Sequence, residues 1–273
     1  MIVLALISIT ASAYAGSSYV TIVEPFNATA TANSSVFLGK VGPGQAFYIT
    51  VSSATAYPNG TKVAYGWNKL SVEGVPQSWV VENSSLNNQL LAALIKTAPT
   101  AANGTYSFNV TAVNIGNYSR LGSVTFRAIV NVTPDVFKLD VSPSNISTGP
   151  AEPATIYVTI NNTGVSDSPF VIAMQGLPGF SQQNLTRSVI ALHHTSRTYS
   201  YPIYENEPGT YNINVNVSSS SSPLVYERSN VTFLVDASVQ NDYAAIGQGG
   251  LLFPPIYEPV YAVMHLISLL FGK

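Results

Sequence analysis

The chain has 273 residues, of which 46% are hydrophobic and 9% are charged, and it contains no cysteine. A typical globular protein carries about 25% charged residues, so neutral polar groups must cover most of this surface. The net charge is −2 and no run of basic residues occurs, so we expect no nucleic-acid partner. The length is sufficient for about two domains of ordinary size.

The N-terminal segment has the pattern of a secretory signal. It is apolar from Ile2 onward and ends in Ala13-Tyr14-Ala15, a small-x-small sequence of the kind that signal peptidase cleaves. Residues 1–15 are therefore predicted to be a signal peptide, which makes the mature protein extracellular. No Lys or Arg precedes Lys40, so the usual positive n-region is missing. A first strand or a buried helix of the mature protein is the alternative.

Two halves of the chain repeat the same landmarks in the same order. A Gly-Pro precedes an alternating segment, a Gly-x-Pro follows, a Gly-Thr-Tyr opens a further segment, and a Val-Thr-Phe closes each half. The four landmarks recur at offsets of 107, 102, 105 and 107 residues, which predicts an internal duplication. They begin at Gly42 and Gly149, at Gly74 and Gly176, at Gly104 and Gly209, and at Val124 and Val231.

Within each half, short segments of alternating apolar and polar residues are separated by turns rich in Gly, Pro and Asn. In YNINVNV, which begins at Tyr211, Ile and Val occupy one parity and Asn the other. A period of two is typical of strands with one buried face and one solvent face. The sequence thus predicts an all-β fold of two tandem immunoglobulin-like β-sandwich domains, at residues 17–132 and 133–236.

The second half resembles the immunoglobulin-like domains of bacterial and archaeal cell-surface proteins that are known as CARDB-type (cell-adhesion-related) and α-galactosidase-associated domains. The shared elements are the glycine before the second strand, the Asn-x-Thr-Gly turn at 161–164, the Gly-x-Pro at 176–178 and the Gly-Thr-Tyr at 209–211. The resemblance implies an extracellular spacer or adhesive module without catalytic residues. An accessory or anchoring subunit of an archaeal surface layer would fit it.

Sequons for N-glycosylation are unusually frequent. Thirteen Asn-x-Ser/Thr sequences occur, whereas random placement of the 22 Asn and the 54 Ser and Thr residues would give about four. Two interpretations are open: dense N-glycosylation of a secreted surface, or the general preference of Asn and Thr for turns and exposed strand positions. The predicted sites are Asn27, Asn33, Asn59, Asn83, Asn103, Asn109, Asn117, Asn131, Asn145, Asn161, Asn184, Asn216 and Asn230.

Two of these sites, Asn109 and Asn216, are predicted to occupy corresponding outward positions of the two repeats. Attached glycans would hydrate such faces without charged residues. Low charge also has a second explanation, because carboxylates are protonated in acid while Tyr, Ser, Thr and Asn keep their hydrogen bonding at any pH. The composition therefore also fits a protein of an acid-dwelling archaeon.

The C-terminal segment departs from the strand pattern. Residues 237–258 have the composition of a linker, and the apolar run after Pro259 predicts a helix at 259–273. A helix over the twelve residues 260–271 would span about 18 Å, less than the ~30 Å core of a bilayer. Docking on a membrane interface or on a hydrophobic partner is the favoured interpretation, and packing against the sandwich is the alternative. The predicted docking residues are Val260, Val263, Leu266, Ile267, Leu270 and Phe271.

No catalytic or metal-binding motif stands out in the sequence. His193 and His194 are adjacent in a predicted turn and cannot easily bind one ion together. Glu205-Asn206-Glu207 lacks the spacing of a calcium loop, and no phosphate loop or nucleophile motif occurs. We therefore expect no enzymatic activity, no cofactor and no metal.

The sequence as a whole predicts a structural cell-surface glycoprotein, membrane-associated through its C-terminal segment. Its predicted partners are other cell-surface or surface-layer subunits, a membrane or hydrophobic partner, and N-linked glycans. Two alternatives remain open. One is a carbohydrate-binding or adhesion module that uses exposed aromatic residues such as Tyr57, Tyr65, Trp67 and Trp79, although core packing is the favoured interpretation for either tryptophan. The other is a pilus-like filament subunit that assembles by strand donation.

Overall fold

The computed structural model describes residues 18–57, 60–87, 90–116, 121–179 and 184–237. Within these ranges every regular element is a β-strand and no helix occurs, which confirms the predicted all-β fold. The predicted signal peptide, the C-terminal helix with its docking residues, and all but the first residue of the predicted linker lie outside the described residues.

The strands of the first part of the chain are β1 (Tyr19–Glu24), β2 (Ala28–Thr31), β3 (Ser35–Val41), β4 (Ala46–Ser52), β5 (Thr55–Ala56), β6 (Lys62–Val63), β7 (Lys69–Glu73), β8 (Val80–Glu82), β9 (Ser84–Asn87), β10 (Leu90–Lys96), β11 (Gly104–Val113) and β12 (Ser123–Val132). The remaining strands are β13 (Phe137–Ser142), β14 (Asn145–Thr148), β15 (Ala154–Asn162), β16 (Ser168–Gln175), β17 (Asn184–Ala191), β18 (Ser196–Ile203), β19 (Gly209–Ser219) and β20 (Ser222–Val235).

The described chain divides into two compact units. The first unit contains the residues up to Val136 together with Thr163–Asp167, and the second contains Phe137–Asn162 and the residues from Ser168 onward. In the first unit one layer has the order β2-β1-β4-β10, and the other has the order β7-β11-β12-β3. Strand β9 pairs with both β10 and β7, so it joins the two layers into one ten-stranded sheet.

The core of the first unit is built from the inward residues of both layers. Alternation places Ile49 of β4 and Val110 of β11 inside with no exposed surface. The largest fully buried side chain is Trp67, and Phe47 and Phe126 pack in the same cluster. The described part of this unit therefore has a single hydrophobic core rich in aromatic rings.

The second unit consists of a three-stranded sheet, β13-β15-β18, and a five-stranded sheet, β14-β20-β19-β16-β17. Phe137 of β13 packs on Phe170 of β16 with a ring-centroid distance of 4.8 Å, so the inner faces of the two sheets meet. Lettered in chain order as A, A′, B, C, C′, E, F and G, the strands form the sheets A-B-E and A′-G-F-C-C′. Strand A′ runs parallel to G, and this arrangement is immunoglobulin-like.

Both units contain a tyrosine corner at the start of strand F, which is β19 in the second unit and β11 at the equivalent place of the first. The Tyr106 hydroxyl donates to the Ala102 carbonyl oxygen at 2.9 Å, and the Tyr211 hydroxyl donates to the Glu207 carbonyl oxygen at 2.9 Å. Each bond reaches back four residues across the E–F connection, as in immunoglobulin-like sandwiches. The repeated Gly-Thr-Tyr of the sequence therefore marks equivalent points, and the register of each unit can be counted from its corner tyrosine.

This register corrects two of the predicted correspondences. Asn109 lies three residues after its corner tyrosine and Asn216 lies five after its own, so the equivalent of Asn109 is Asn214. Similarly, Phe126 pairs with Val110, which lies four residues after the corner Tyr106, whereas Phe233 pairs with the corner Tyr211 itself. The two phenylalanines are therefore four positions out of register. Both shifts are even, so each side chain keeps its face, and hydrophobic alternation alone cannot detect them.

Candidate glycosylation sites

A sequon on a strand places its Asn and its Ser or Thr on the same face, because the two residues are two positions apart. In β19 the side chain of Val217 is fully buried, so Asn216 and Ser218 point outward. The same arrangement holds around Val110 in β11 and Val231 in β20. These outer faces thus carry both the amide that would receive a sugar and the hydroxyl that completes the sequon.

Ten of the predicted glycosylation sites have described side chains, and none of these ten is buried. By contrast, Asn162 is not in a sequon and is only 1% exposed. The exposed sites are Asn27, Asn33, Asn83, Asn103, Asn109, Asn145, Asn161 and Asn230, and the half-buried sites are Asn131 and Asn216. Asn59 and Asn117 lie outside the described residues, and Asn184 begins β17.

The asparagines outside sequons include those whose side-chain amides hold the fold together. Asn68 donates its Nδ2 to the Ile115 carbonyl oxygen at 2.8 Å. Asn162 donates to the Ala191 carbonyl oxygen at 2.9 Å, and Asn114 donates in the same way to a loop carbonyl. In all three the amide nitrogen is used as a donor to the backbone, so it is not available for modification.

The ten sequon asparagines with described side chains behave differently. None of them donates a hydrogen bond from Nδ2 to another described residue. Asn83 and Asn216 do use their side chains, but as acceptors: Asn83 Oδ1 accepts from the Val72 amide at 2.8 Å, and Asn216 Oδ1 accepts from Arg228 Nε at 3.4 Å. The atom to which an N-linked sugar bonds is therefore not engaged with described residues at any of these ten sites.

The outer face of the five-stranded sheet consists largely of amides and hydroxyls. The strand register places Asn230, Asn214 and Gln175 side by side in one row across β20, β19 and β16. All three side chains are exposed. The next row pairs Thr232 of β20 with Asn212 of β19. A face of this chemistry offers many hydrogen-bonding groups to water or to sugar hydroxyls and almost no charge.

Several carboxylates bind backbone amides. Glu227 Oε2 accepts from the Leu139 amide at 2.8 Å, and Glu152 Oε2 accepts from the Gly149 amide at 2.9 Å. Glu205, which is 4% exposed, accepts from the Asn206 amide at 2.7 Å. The predicted Glu205-Asn206-Glu207 segment is thus a turn closed by its own carboxylate. Within the described ranges, no group of three or more His, Asp or Glu residues is placed to hold a metal ion.

The two adjacent histidines lie in the turn between β17 and β18, as the sequence predicts. His194 adopts a φ of 54°, and the two rings meet edge to face at a centroid distance of 5.7 Å. The turn reverses the chain between strands of different sheets. We therefore assign the pair a structural position in this turn.

The two tryptophans considered for a sugar platform are core residues, which confirms core packing and removes them from the platform alternative. Trp67 is fully buried, and its Nε1 donates to the Tyr19 carbonyl oxygen at 3.1 Å. Trp79 is 7% exposed and packs on Tyr106 with a centroid distance of 5.2 Å. Both lie outside regular strands, where alternation gives no indication of the buried side. Of the two predicted tyrosines, Tyr65 is exposed and Tyr57 is half-buried.

Two tyrosines in the second unit have raised pKa values. Burial raises the pKa of the Tyr201 hydroxyl, and the nearby Arg187 guanidinium partly opposes this shift. Desolvation raises the pKa of Tyr211, and the carboxylates of Glu205 and Glu207 add to the effect. Both hydroxyls are therefore protonated at neutral pH, and the Tyr211 hydroxyl can donate its corner hydrogen bond.

Comparisons with known proteins give no family assignment, because neither a protein-family model nor a curated protein matches the chain. Among solved structures, the chain is similar to a chimeric titin Z1Z2 carrying a peptide from decorin. The identity is 14% and the TM-score 0.38, over 82% of this chain and 100% of that chain. It is also similar to the Yersinia pseudotuberculosis adhesin InvE, at 13% identity and a TM-score of 0.28, over 71% of this chain and 56% of that chain.

A third similar structure is the PapD-like domain 7 of human CEP192, at 13% identity and a TM-score of 0.29, over 39% of this chain and 89% of that chain. The neighbours include β-sandwich domains of immunoglobulin-like type. At these identities and TM-scores the similarities assign neither family nor function. The resemblance to CARDB-type and α-galactosidase-associated domains stays a prediction. No helix able to cross a membrane occurs among the described residues.

Proposed function

We propose that this chain is a structural, non-enzymatic cell-surface protein whose two immunoglobulin-like units carry dense N-linked glycans. In this proposal the units form a stalk or a surface-layer component, and the C-terminal apolar segment docks it on a membrane or a hydrophobic partner. The archaeal surface layer suggested by the sequence resemblance belongs to the same proposal.

One observation carries the glycan part of the proposal. Asn68, Asn114 and Asn162, which lie outside sequons, donate Nδ2 to the backbone, and none of the ten described sequon residues does so. The exposed non-sequon residues Asn206, Asn212 and Asn214 also leave Nδ2 unengaged, so an unengaged Nδ2 permits modification but is not confined to sequons. A general preference of Asn for exposed positions explains exposure alone. It does not explain why Nδ2 is unengaged even at Asn83 and Asn216, where Oδ1 makes a hydrogen bond.

The two alternative functions have less support. A carbohydrate-binding platform loses both tryptophans, because they are buried. Strand donation needs an open sheet edge, and two edges of the second unit carry features that discourage pairing. On β17, Arg187 pairs with the fully buried Ile172 and so faces inward, and on β13 the Leu139 amide is occupied by Glu227. Inward charges and covered edge amides are common protections against added strands.

Mass spectrometry of the intact protein from its native membrane tests the proposal. We expect cleavage after Ala15, sugar on most of the thirteen sequons, and retention of the residues after Pro259. Unglycosylated asparagines at all ten described sites would contradict the glycoprotein assignment. A protein that still begins at Met1 would contradict secretion through the predicted signal.

A second experiment tests the docking segment in the full-length chain. In detergent phase separation, the unchanged protein should enter the detergent phase, and a variant with Leu266→Gln, Leu270→Gln and Phe271→Gln should stay in the aqueous phase. A matched control with three Gln substitutions in the linker, at Tyr243, Ile246 and Leu251, should partition like the unchanged protein. Aqueous partitioning of the unchanged protein would contradict docking on a membrane.

A further inference from the structure

The outer side of the β19-β20 hairpin places an aromatic ring and an arginine beside a predicted glycosylation site. Asn216 pairs directly with Arg228 across the two strands, and Ser218 pairs with Tyr226. Asn216, Ser218, Tyr226 and Arg228 thus share one outward face. The diagonal from Asn216 to Tyr226 is about 7–8 Å between Cβ atoms in an antiparallel pair, within reach of an aromatic side chain.

Arg228 contacts the side chains of both Asn216 and Tyr226. Arg228 Nε donates to Asn216 Oδ1 at 3.4 Å, and the Arg228 guanidinium carbon lies 5.1 Å from the centre of the Tyr226 ring. Half of the Tyr226 surface is exposed. Among the described residues Arg228 forms no salt bridge, so its terminal nitrogens have no carboxylate partner. The arginine is therefore oriented by the ring and the amide while two of its nitrogens remain available as donors.

We propose that Tyr226 and Arg228 form a binding subsite for the first sugar residues attached to Asn216. This inference rests on the proposed N-glycosylation and goes further, because it names protein groups that would hold the glycan against the sheet. A pyranose ring presents an apolar C–H face and a rim of hydroxyl groups. The exposed part of the Tyr226 ring would pack on the C–H face, and the Arg228 guanidinium would donate to the oxygens.

Glycosylation at Asn216 would leave this arrangement intact. The sugar bonds to Nδ2, whereas Arg228 binds Oδ1, so the amide oxygen keeps its donor after modification. The retained hydrogen bond would limit rotation of the modified side chain. The glycan at Asn216 should therefore be ordered over the hairpin.

The first unit provides a natural comparison. Asn109 also lies opposite an arginine, Arg127, but the residue two positions before this arginine is Thr125. The Thr125 hydroxyl lies 2.9 Å from the hydroxyl of its cross-strand partner Thr111. No aromatic ring pairs across the strands at this place. A glycan at Asn109 would therefore have an arginine beside it but no outward-facing ring on the paired strand β12.

Hydrogen exchange measured by mass spectrometry tests the subsite in the full-length chain, produced in a yeast secretory host whose glycans begin with two N-acetylglucosamines. Ser218→Ala removes the sequon and leaves Asn216, Tyr226 and Arg228 in place. With Tyr226 present, we expect the Ser218→Ala variant to exchange the β19-β20 hairpin amides about fivefold faster than the glycosylated chain. In a Tyr226→Ala background, the same removal of the glycan should leave these exchange rates unchanged.

Two control variants separate the outcomes. Tyr226→Phe keeps the ring and should keep the protection, and Asn109→Gln in the first unit should change exchange in β11-β12 by less than about twofold. Suppose that Asn216 carries sugar, but that Ser218→Ala changes the exchange rates equally with Tyr226 and with Tyr226→Ala. The subsite is then overturned and the glycoprotein proposal stands. If Asn216 in the unchanged chain carries no sugar, glycosylation at this site is contradicted and the subsite falls with it.

Discussion

The two units share one frame but differ in the chemistry of corresponding positions. Counted from the tyrosine corners, the row Arg127, Asn109 and Glu73 of the first unit corresponds to Asn230, Asn214 and Gln175 of the second. The first row places a positive and a negative residue on either side of a sequon asparagine. The second is made entirely of amides. The strand frame therefore does not require charge at these outward positions.

At one inward position the contrast is reversed, because the first unit has an apolar residue there and the second has a carboxylate. The first unit contains both tryptophans of the chain, and Val124 occupies an inward position that is 2% exposed. In the second unit the corresponding residue is Glu227, whose carboxylate accepts the Leu139 amide. One unit thus fills this position by apolar packing and the other by a hydrogen bond between its two sheets. The strand order is the same in both cases. Substitutions at equivalent positions can therefore separate the contribution of the shared strand arrangement from that of the individual side chains.

The largest difference is expected at the glycine that follows β7 in the first unit and β16 in the second. Gly74 and Gly176 both have positive φ, 80° and 76°, so alanine at either position costs about 1–2 kcal/mol in backbone strain. A Cβ at Gly176 would also collide with the backbone oxygen of Asn212, whereas a Cβ at Gly74 would have no neighbour within 4 Å. Overpacking adds about 1–3 kcal/mol, so Gly176→Ala should be clearly the more destabilising change.

Hydrogen exchange in the full-length chain measures the destabilisation caused by Gly74→Ala and by Gly176→Ala, because peptides report on each unit separately. Fluorescence adds an independent probe of the first unit, since both tryptophans lie there. Equal losses of stability for the two glycine variants would show that the close approach to Asn212 is relieved by a backbone shift.

The next effect is expected at Glu227. Glu227→Val introduces the residue type found at the corresponding position of the first unit and leaves the Leu139 amide without its acceptor. A hydrogen bond to a charged group contributes about 1.5–3 kcal/mol, and this one is only part-buried, so the free energy of unfolding of the second unit should fall by about 1–2 kcal/mol. Chemical denaturation followed by hydrogen exchange in β13 measures the change. If stability is unchanged, solvent replaces the carboxylate and the two units fill this position equally well.

The tyrosine corners should contribute similarly in both units. Tyr106→Phe and Tyr211→Phe each remove one hydroxyl-to-carbonyl hydrogen bond with the same geometry. A typical net loss is about 0.5–1.5 kcal/mol, and we expect it in the unit that carries the substitution. The rings keep their packing on Trp79 and Phe233, so the test isolates the hydroxyl group. A loss confined to one corner would show that the shared landmark has different roles in the two units.

Alkaline pH should weaken the second unit through the two tyrosines with raised pKa values. A group with a raised folded-state pKa stabilises the fold fully below its unfolded pKa, near 10, and this contribution is lost as the pH rises through the folded value. Tyr201→Phe and Tyr211→Phe should each reduce the loss of stability above about pH 10. Circular dichroism at increasing pH measures the loss of folded structure. Hydrogen exchange in peptides from each unit shows which unit unfolds. An identical alkaline transition in both variants would exclude these hydroxyls as its cause.

Much of the frame could be predicted from the sequence, because its signals are local. Alternation in AFYITVSS and YNINVNV identifies strands and their buried parity, and Gly-Thr-Tyr marks strand F in both halves. Register could not be predicted, since the displacements of two and four residues at Asn216 and Phe233 leave parity unchanged. The burial of Trp67 and Trp79 could not be predicted from alternation either, because both residues lie between strands.

The candidate site shows the same limit. The sequons and their outward orientation can be read directly from the sequence. The use of Oδ1 and not Nδ2 at Asn83 depends on the position of the Val72 amide, which the sequence does not indicate. Likewise, the position of Tyr226 beside Asn216 depends on the pairing of β19 with β20. A tyrosine ten residues after a sequon carries no recognisable signal until the hairpin register is known.

The smallest effect is expected when the charged row of the first unit is converted to the amide row of the second. The double variant Arg127→Asn, Glu73→Gln changes two outward residues that form no salt bridge in the described chain. Exposed substitutions of this kind usually change stability by less than about 0.5 kcal/mol, and we expect the same melting temperature at low and high salt. A clear destabilisation would mean that Arg127 and Glu73 interact across Asn109 and that the first unit depends on charge where the second does not.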